Sequence, residues 1–158
     1  MPYKIDIQHE NGVFISFFGP DVLRGEEFDQ YLRDVIDLNV MFDREGHTQV
    51  YHILVIESTQ LDFESMMRAL ITIRQNKDMI ALRNRLHSLS IIVTNSPVMA
   101  QFIEMMLSNP GYGGRHLAMF PTVEAALAFI HFEQSQPPDT PPPTAEASSP
   151  NGDKSPDP

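Results

Sequence analysis

Leu89-Ser90-Ile91-Ile92-Val93-Thr94-Asn95-Ser96-Pro97 is the stretch whose reading decides the fold. Its first half is short, apolar and rich in β-branched residues, as in a buried strand. Its second half is a helix start, with Ser96 placed to cap and Pro97 at the first helical position. Met99, Phe102, Ile103 and Met106 then recur at helical spacing. A strand that runs directly into a helix must cross over before the chain can pair again. Such a crossover brings the next strand in parallel.

The same grammar holds on either side. Tyr51–Ile56 reads as a central strand, followed by a loop, Glu57-Ser58-Thr59-Gln60, and a helical stripe of Phe63, Met66, Met67, Leu70 and Ile71. That stripe continues toward Ile80 as one helix or two, with a break around Asn76–Asp78. Earlier, Phe28, Leu32, Val35 and Ile36 mark a helix whose outer face carries Glu26, Asp29, Asp34 and Asp37. Ile5-Asp6-Ile7 and Val13–Phe18 flank Asn11-Gly12, a two-residue hairpin signal. Phe14, Phe17 and Phe18 leave little alternation, so the second strand is expected to be buried on both faces. His116–Phe120 supplies a last strand, and Thr122 caps a last helix facing inward through Val123, Ala126, Leu127 and Ile130. The expected order is β-β-α-β-α-β-α-β-α, an α/β fold with a mainly parallel sheet and an N-terminal hairpin.

Composition sets the outer bounds. From Gln134 to Pro158, proline, small polar residues and acids dominate. Such a tract buries too little apolar surface to offset the entropy of ordering it. We therefore expect an α/β domain over residues 1–133 and a disordered acidic tail over 134–158. The formal net charge of -10 disfavours binding through a nucleic-acid backbone, with Arg74, Lys77, Arg83 and Arg85 as candidates for a local basic patch. There is no cysteine, so disulfides and thiolate chemistry are excluded. No apolar run is long enough to span a membrane, and no signal peptide is recognisable, which points to the cytoplasm.

Signals of chemistry are weak. Glu57, Asp62 and Glu64 are acids about a helix start, which the helix dipole explains. The six histidines form no compact ligand set, and His52 and His116 read as edge or surface residues at strand starts. Gly111-Tyr112-Gly113-Gly114-Arg115 lies between a helix and a strand, the reverse of a phosphate-binding loop. No catalytic, metal-ligating or cofactor-binding residue is assigned, and no cofactor is expected.

The element order resembles the STAS-like, or SpoIIAA-like, superfamily over roughly residues 3–131. The residues that carry the likeness are the hairpin ending at Gly19, the strand Tyr51–Ile56, Leu89–Val93 running into Thr94-Asn95-Ser96, and the closing phrase MFPTVEAALAFI, which includes Phe120, Ala125 and Ala126. The resemblance implies a non-catalytic regulatory module of bacterial signalling that docks a protein partner. The superfamily's phosphoacceptor motif is not intact. Asp62 matches its acid, but Phe63 stands at the acceptor position and the glycine is absent.

The expected interaction surface comprises Glu57, Ser58, Thr59, Asp62, Met66, Asn95, Ser96 and Met99, at the carboxyl ends of parallel strands. The expected partner is a protein, with a homodimer as a further possibility. The adjacent pairs Met66-Met67 and Met105-Met106 are candidates to leave one methionine outside. Two other functions stay open: a small-molecule, nucleotide or lipid binding module near Ser58, Thr59, Asn95 and Ser96, and an enzyme of unknown reaction.

Overall fold

The computed structural model describes residues 3–19, 22, 26–57, 63–109 and 117–137. Among the described residues, five strands and five α-helices follow one another as β1 (Tyr3–Gln8), β2 (Val13–Phe18), α1 (Glu26–Arg44), β3 (Tyr51–Ile56), α2 (Phe63–Gln75), α3 (Lys77–Arg85), β4 (Leu89–Thr94), α4 (Pro97–Leu107), β5 (Leu117–Phe120) and α5 (Val123–Ser135). The strands form one sheet in their chain order. β1 pairs antiparallel with β2, and the other neighbours are parallel. This is the expected mixed, mainly parallel α/β architecture.

Period-two alternation divides the apolar residues between two faces. Phe14, Phe18, Ile56 and Ile92 pack with residues of α1, α2, α3 and α4. Val13, Ile15, Ile53, Ile91 and Val93 pack with Ala126 and Ile130 of α5. Four helices thus cover one face of the sheet and one helix covers the other. β2 is buried on both faces, as its continuous apolar run requires.

Several boundaries depart from the sequence reading. The hairpin is present, but its connection is a single 3-10 turn over His9–Asn11 closed by Gly12, not a two-residue turn. Gly12 has φ +63°, and a Cβ there would lie 2.9 Å from the Gln49 carbonyl oxygen. The glycine thus serves a left-handed conformation and a close approach at once. Its own carbonyl accepts the Tyr51 amide at 2.9 Å, which ties the turn to the start of β3.

The long helical stretch after β3 is two helices. Asn76 separates them and caps α3, its side chain accepting from the Met79 amide at 3.1 Å. Ser96 and Thr122 cap α4 and α5 as expected, accepting from Met99 and Ala125. α5 runs to Ser135, two residues past the expected domain end at 133, and Gln134 donates to the Asn11 carbonyl at 2.8 Å. Asp34, expected on a solvated helix face, is half-buried and accepts from the Tyr3 hydroxyl. Pro20, the glycine-rich loop Gly111–Arg115, His116 and the tail beyond 137 lie outside the described residues.

Tyr51 leaves a defect on the α5 side. Among the described residues its buried hydroxyl has no hydrogen-bond partner. Burial, with the charge of Glu133 adding to it, pushes its pKa up to about 12. An unsatisfied buried hydroxyl costs about 1 kcal/mol or more. Tyr51→Phe is therefore expected to raise the melting temperature by about 2–4 °C. A fall of that size in a thermal circular-dichroism scan would show that the hydroxyl contributes a bond.

Candidate functional site

The four-helix face of the sheet carries polar side chains among apolar ones. VFISFF, YHILVI and LSIIVT each interrupt an apolar strand with a serine or histidine. The parallel register sets Phe14 opposite His52 and His52 opposite Ser90. Ser16 is two residues beyond Phe14 and so points to the same face. The Phe14 and His52 rings stack, with centroids 4.2 Å apart and planes inclined by 16°.

Tyr31 of α1 descends onto this row. Its hydroxyl is 2.9 Å from His52 Nε2 and donates to Ser16 Oγ at 3.3 Å. Ser16 Oγ is itself 2.9 Å from the same nitrogen. Nε2 offers either one lone pair or one proton and each hydroxyl one proton, so the three groups share their hydrogen bonds around the triangle. Leaving any one of these buried groups unpaired would cost about 1–3 kcal/mol, so the triangle is a requirement of burial. Arg83 of α3 joins from above, donating to Ser90 Oγ at 3.1 Å.

Burial governs the charges. It lowers the His52 pKa to about 3, with the positive Arg83 adding to the effect, so the imidazole is neutral at ordinary pH. It raises the Tyr31 phenol well above its usual range. It also lowers the Arg83 pKa, while proximity to Tyr31 opposes that shift. Ser16 is 0 % exposed, so its Oγ is closed to solvent and to any molecule beside it. The Ser16–His52 contact is therefore not arranged as an accessible nucleophile and base.

Tyr31, His52 and Arg83, but not Ser16, form part of the wall of a cavity of about 410 Å³ between the sheet and α1–α4. His52, Ser88 and Ser90, at the amino-terminal side of β3 and β4, line it together with Tyr31, Asn39 and Arg83. Leu54, Ile56, Leu70, Met99, Phe102 and Met106 supply apolar wall. Arg74, Ile80 and Asn84 also line it and are exposed, which places an opening beside the end of α2 and the outer side of α3. Asn39 holds the α1 side, donating to the Val35 carbonyl at 2.7 Å and accepting from Ser88 at 3.4 Å.

The expected interaction residues fall in different places. Glu57 and Asn95 are exposed after β3 and β4. Ser96 is buried as the α4 cap. Met66 and Met99 are each 3 % exposed and line the cavity, so both side chains are interior. Of the methionine pairs, Met105-Met106 splits as anticipated, with Met105 exposed and Met106 buried. Met67 instead packs against the core beside Met66. Ser58, Thr59 and Asp62 lie outside the described residues.

Two sequence readings need correction. His52 is not an edge or surface histidine, because β3 is flanked by β2 and β4 and α1 covers its face. Arg83 is not part of a solvated basic patch, because α3 turns it toward Ser90. No local pattern in the sequence groups Ser16, Tyr31, His52, Arg83 and Ser90. The signal present in the sequence is a polar residue of matching parity, Ser16, His52 or Ser90, inside each of three apolar strands.

No group of three or more His, Asp or Glu residues suited to a metal ion occurs among the described residues. No helix among them is long and apolar enough to cross a membrane. No protein-family model, curated protein or solved structure gives a match to this chain.

The buried imidazole has a measurable consequence. The ordinary histidine value of 6.5 applies to the unfolded chain, against about 3 in the folded one. Between these values the unfolded state binds a proton that the folded state refuses. The His52 contribution is thus complete above the upper value and falls with acidification, by about 1.4 kcal/mol per pH unit within the window. His52→Gln is expected to lose that part of the slope. Equal slopes for both proteins, from urea titrations at two pH values in the window, would refute the assignment.

Proposed function

We propose that this chain is a small-molecule binding module whose ligand occupies the cavity between the sheet and α1–α4. The observation that carries the reading is the cavity itself: about 410 Å³, walled mainly by aliphatic, aromatic and methionine side chains, with polar groups converging from one side. That size and lining are those of small-ligand sites, where apolar contact supplies affinity and a few polar groups set orientation. Four methionines, Met66, Met79, Met99 and Met106, line it. Unbranched thioether side chains adapt to a ligand's shape at little cost. This moves the candidate ligand site away from Ser58, Thr59, Asn95 and Ser96 and into the interior beneath α2 and α3.

A protein-docking role, with the cytoplasmic STAS-like relationship that the element order evokes, is the second reading. The observation in its favour is on α4, where Val98 and Met105 are 52 % and 44 % exposed. Seven residues apart, they share one helical face. In this reading the chain self-associates through that face, and Val98→Asp abolishes the association in sedimentation equilibrium. A monomer at all concentrations would remove the homodimer from consideration.

Ligand binding is tested with decanol, a neutral probe with a flexible apolar chain. At a concentration about a hundredfold above its Kd, a ligand stabilises the folded state by about 2.7 kcal/mol. For a chain of this size that corresponds to a rise of several degrees in melting temperature. Leu70→Trp, which fills the cavity from α2, should fold and lose the shift. No shift for the wild-type chain, or the same shift for the variant, would argue against the cavity as the site.

A further inference from the structure

We infer that the ligand of this cavity is a neutral molecule with a hydroxyl head on an apolar body, the head bonded to His52 Nδ1 and to Ser90. The inference rests on the cavity being a ligand site and adds the chemical class of the ligand.

The two ring nitrogens of His52 differ in their surroundings. Nε2 meets the Ser16 and Tyr31 hydroxyls, at 2.9 Å each. Nδ1 has no hydrogen-bond partner among the described residues. Nor is it sealed. Among those residues, the Tyr51 hydroxyl is the only side-chain nitrogen or oxygen that is both closed off and without a partner. His52 is half-buried in a central strand, and it lines the cavity. Nδ1 therefore opens onto the cavity. The ring is held in that position. Phe14 stacks on it with centroids 4.2 Å apart, and the two hydroxyls fix its far edge. The protein does not complete this atom, so what fills the cavity must.

A second group stands beside it. Ser90 is opposite His52 on β4 and also lines the cavity. Its Oγ accepts from Arg83 at 3.1 Å, and its own proton has no acceptor among the described residues. A serine hydroxyl can accept and donate at once. Two neighbouring strands thus present an imidazole nitrogen and a hydroxyl proton to the same space.

A ligand hydroxyl answers both. Its oxygen accepts the Ser90 proton. Its own proton goes to Nδ1 when Nε2 carries the imidazole proton, and in the other tautomer the oxygen also accepts from Nδ1. The match holds whichever nitrogen is protonated. Charged heads fit less well. An ammonium would meet the positive Arg83, which is already engaged by Ser90. A carboxylate has no proton to give. It would face the Nδ1 lone pair in one tautomer and lose more water than it regains in the other. Beyond the head, Ile92, Phe102, Ile103 and Met106 offer apolar wall for the body.

The test sets octanol against 1-fluorooctane, which keeps the length and removes the hydrogen-bonding head. Isothermal titration calorimetry of the full chain at neutral pH would compare the wild type with His52→Phe, which keeps a ring against Phe14. The substitution should weaken octanol by about threefold to tenfold more than it weakens 1-fluorooctane. Nitrogen-15 spectra of the wild-type histidines give a second readout. Octanol should move the His52 Nδ1 resonance further than 1-fluorooctane does. Equal losses for the two ligands, or an Nδ1 resonance that octanol moves no further than 1-fluorooctane does, would overturn the hydroxyl head and leave the cavity as a ligand site. Failure of both ligands to bind the wild type would overturn both readings. The nitrogen resonance decides the matter even if His52→Phe does not fold.

Discussion

The in-phase parallel register of β2, β3 and β4 is the constraint on which everything else in this molecule depends. Val13 pairs with Tyr51 and Tyr51 with Leu89, so the three strands begin level. Side chains alternate with a period of two. A slip of one residue in β3 would send His52 toward α5 and bring Tyr51 under α1. The Tyr31 and Ser16 hydroxyls would then lose their common partner. The apolar majority of each strand favours the observed register through burial, and the polar minority enforces it through hydrogen bonding.

That register also makes a cavity possible. A helix layer that covered a wholly aliphatic face would be free to settle onto it and exclude space. Here α1 is held by the Tyr31–His52–Ser16 triangle, and α3 by the Arg83–Ser90 bond. Of its neighbours, α2 packs most closely on α3 rather than on a strand. The helices are thus propped by polar contacts on one side of the cavity, while α4 lies against β5 on the other. The polar groups both satisfy one another and present a chemically distinct wall. Substitutions at Tyr31 or His52 therefore act on the helix packing and on the cavity wall together.

Most of the architecture was legible in the residues alone. Ser96-Pro97 and Thr122 placed two helix starts, because capping is a local interaction between a side chain and an amide three residues on. The stripes at helical spacing found α1 and α4, because one face of each must be buried. The Asn76 break was visible only as an ambiguity, since an asparagine can stand within a helix or cap one. The hairpin signal at Asn11-Gly12 found the turn but not its length. The close approach of the Gln49 carbonyl to Gly12 comes from a distant segment and has no local signal.

The sequence by itself determined the element order, the mainly parallel sheet and the exclusion of cysteine chemistry. These follow from local periodicity, capping and composition, which need no knowledge of neighbours. Only the tertiary structure decided that Tyr31, His52, Arg83 and Ser90 face one cavity, with Ser16 bonded behind them. They are far apart along the chain, and each alone reads as an ordinary strand or helix residue. Register and helix docking bring them together, and burial then changes their charge states. Methionines at helical spacing read mostly as core, yet Met66 and Met99 were expected on the interaction surface until the packing of α2 and α4 placed both inside.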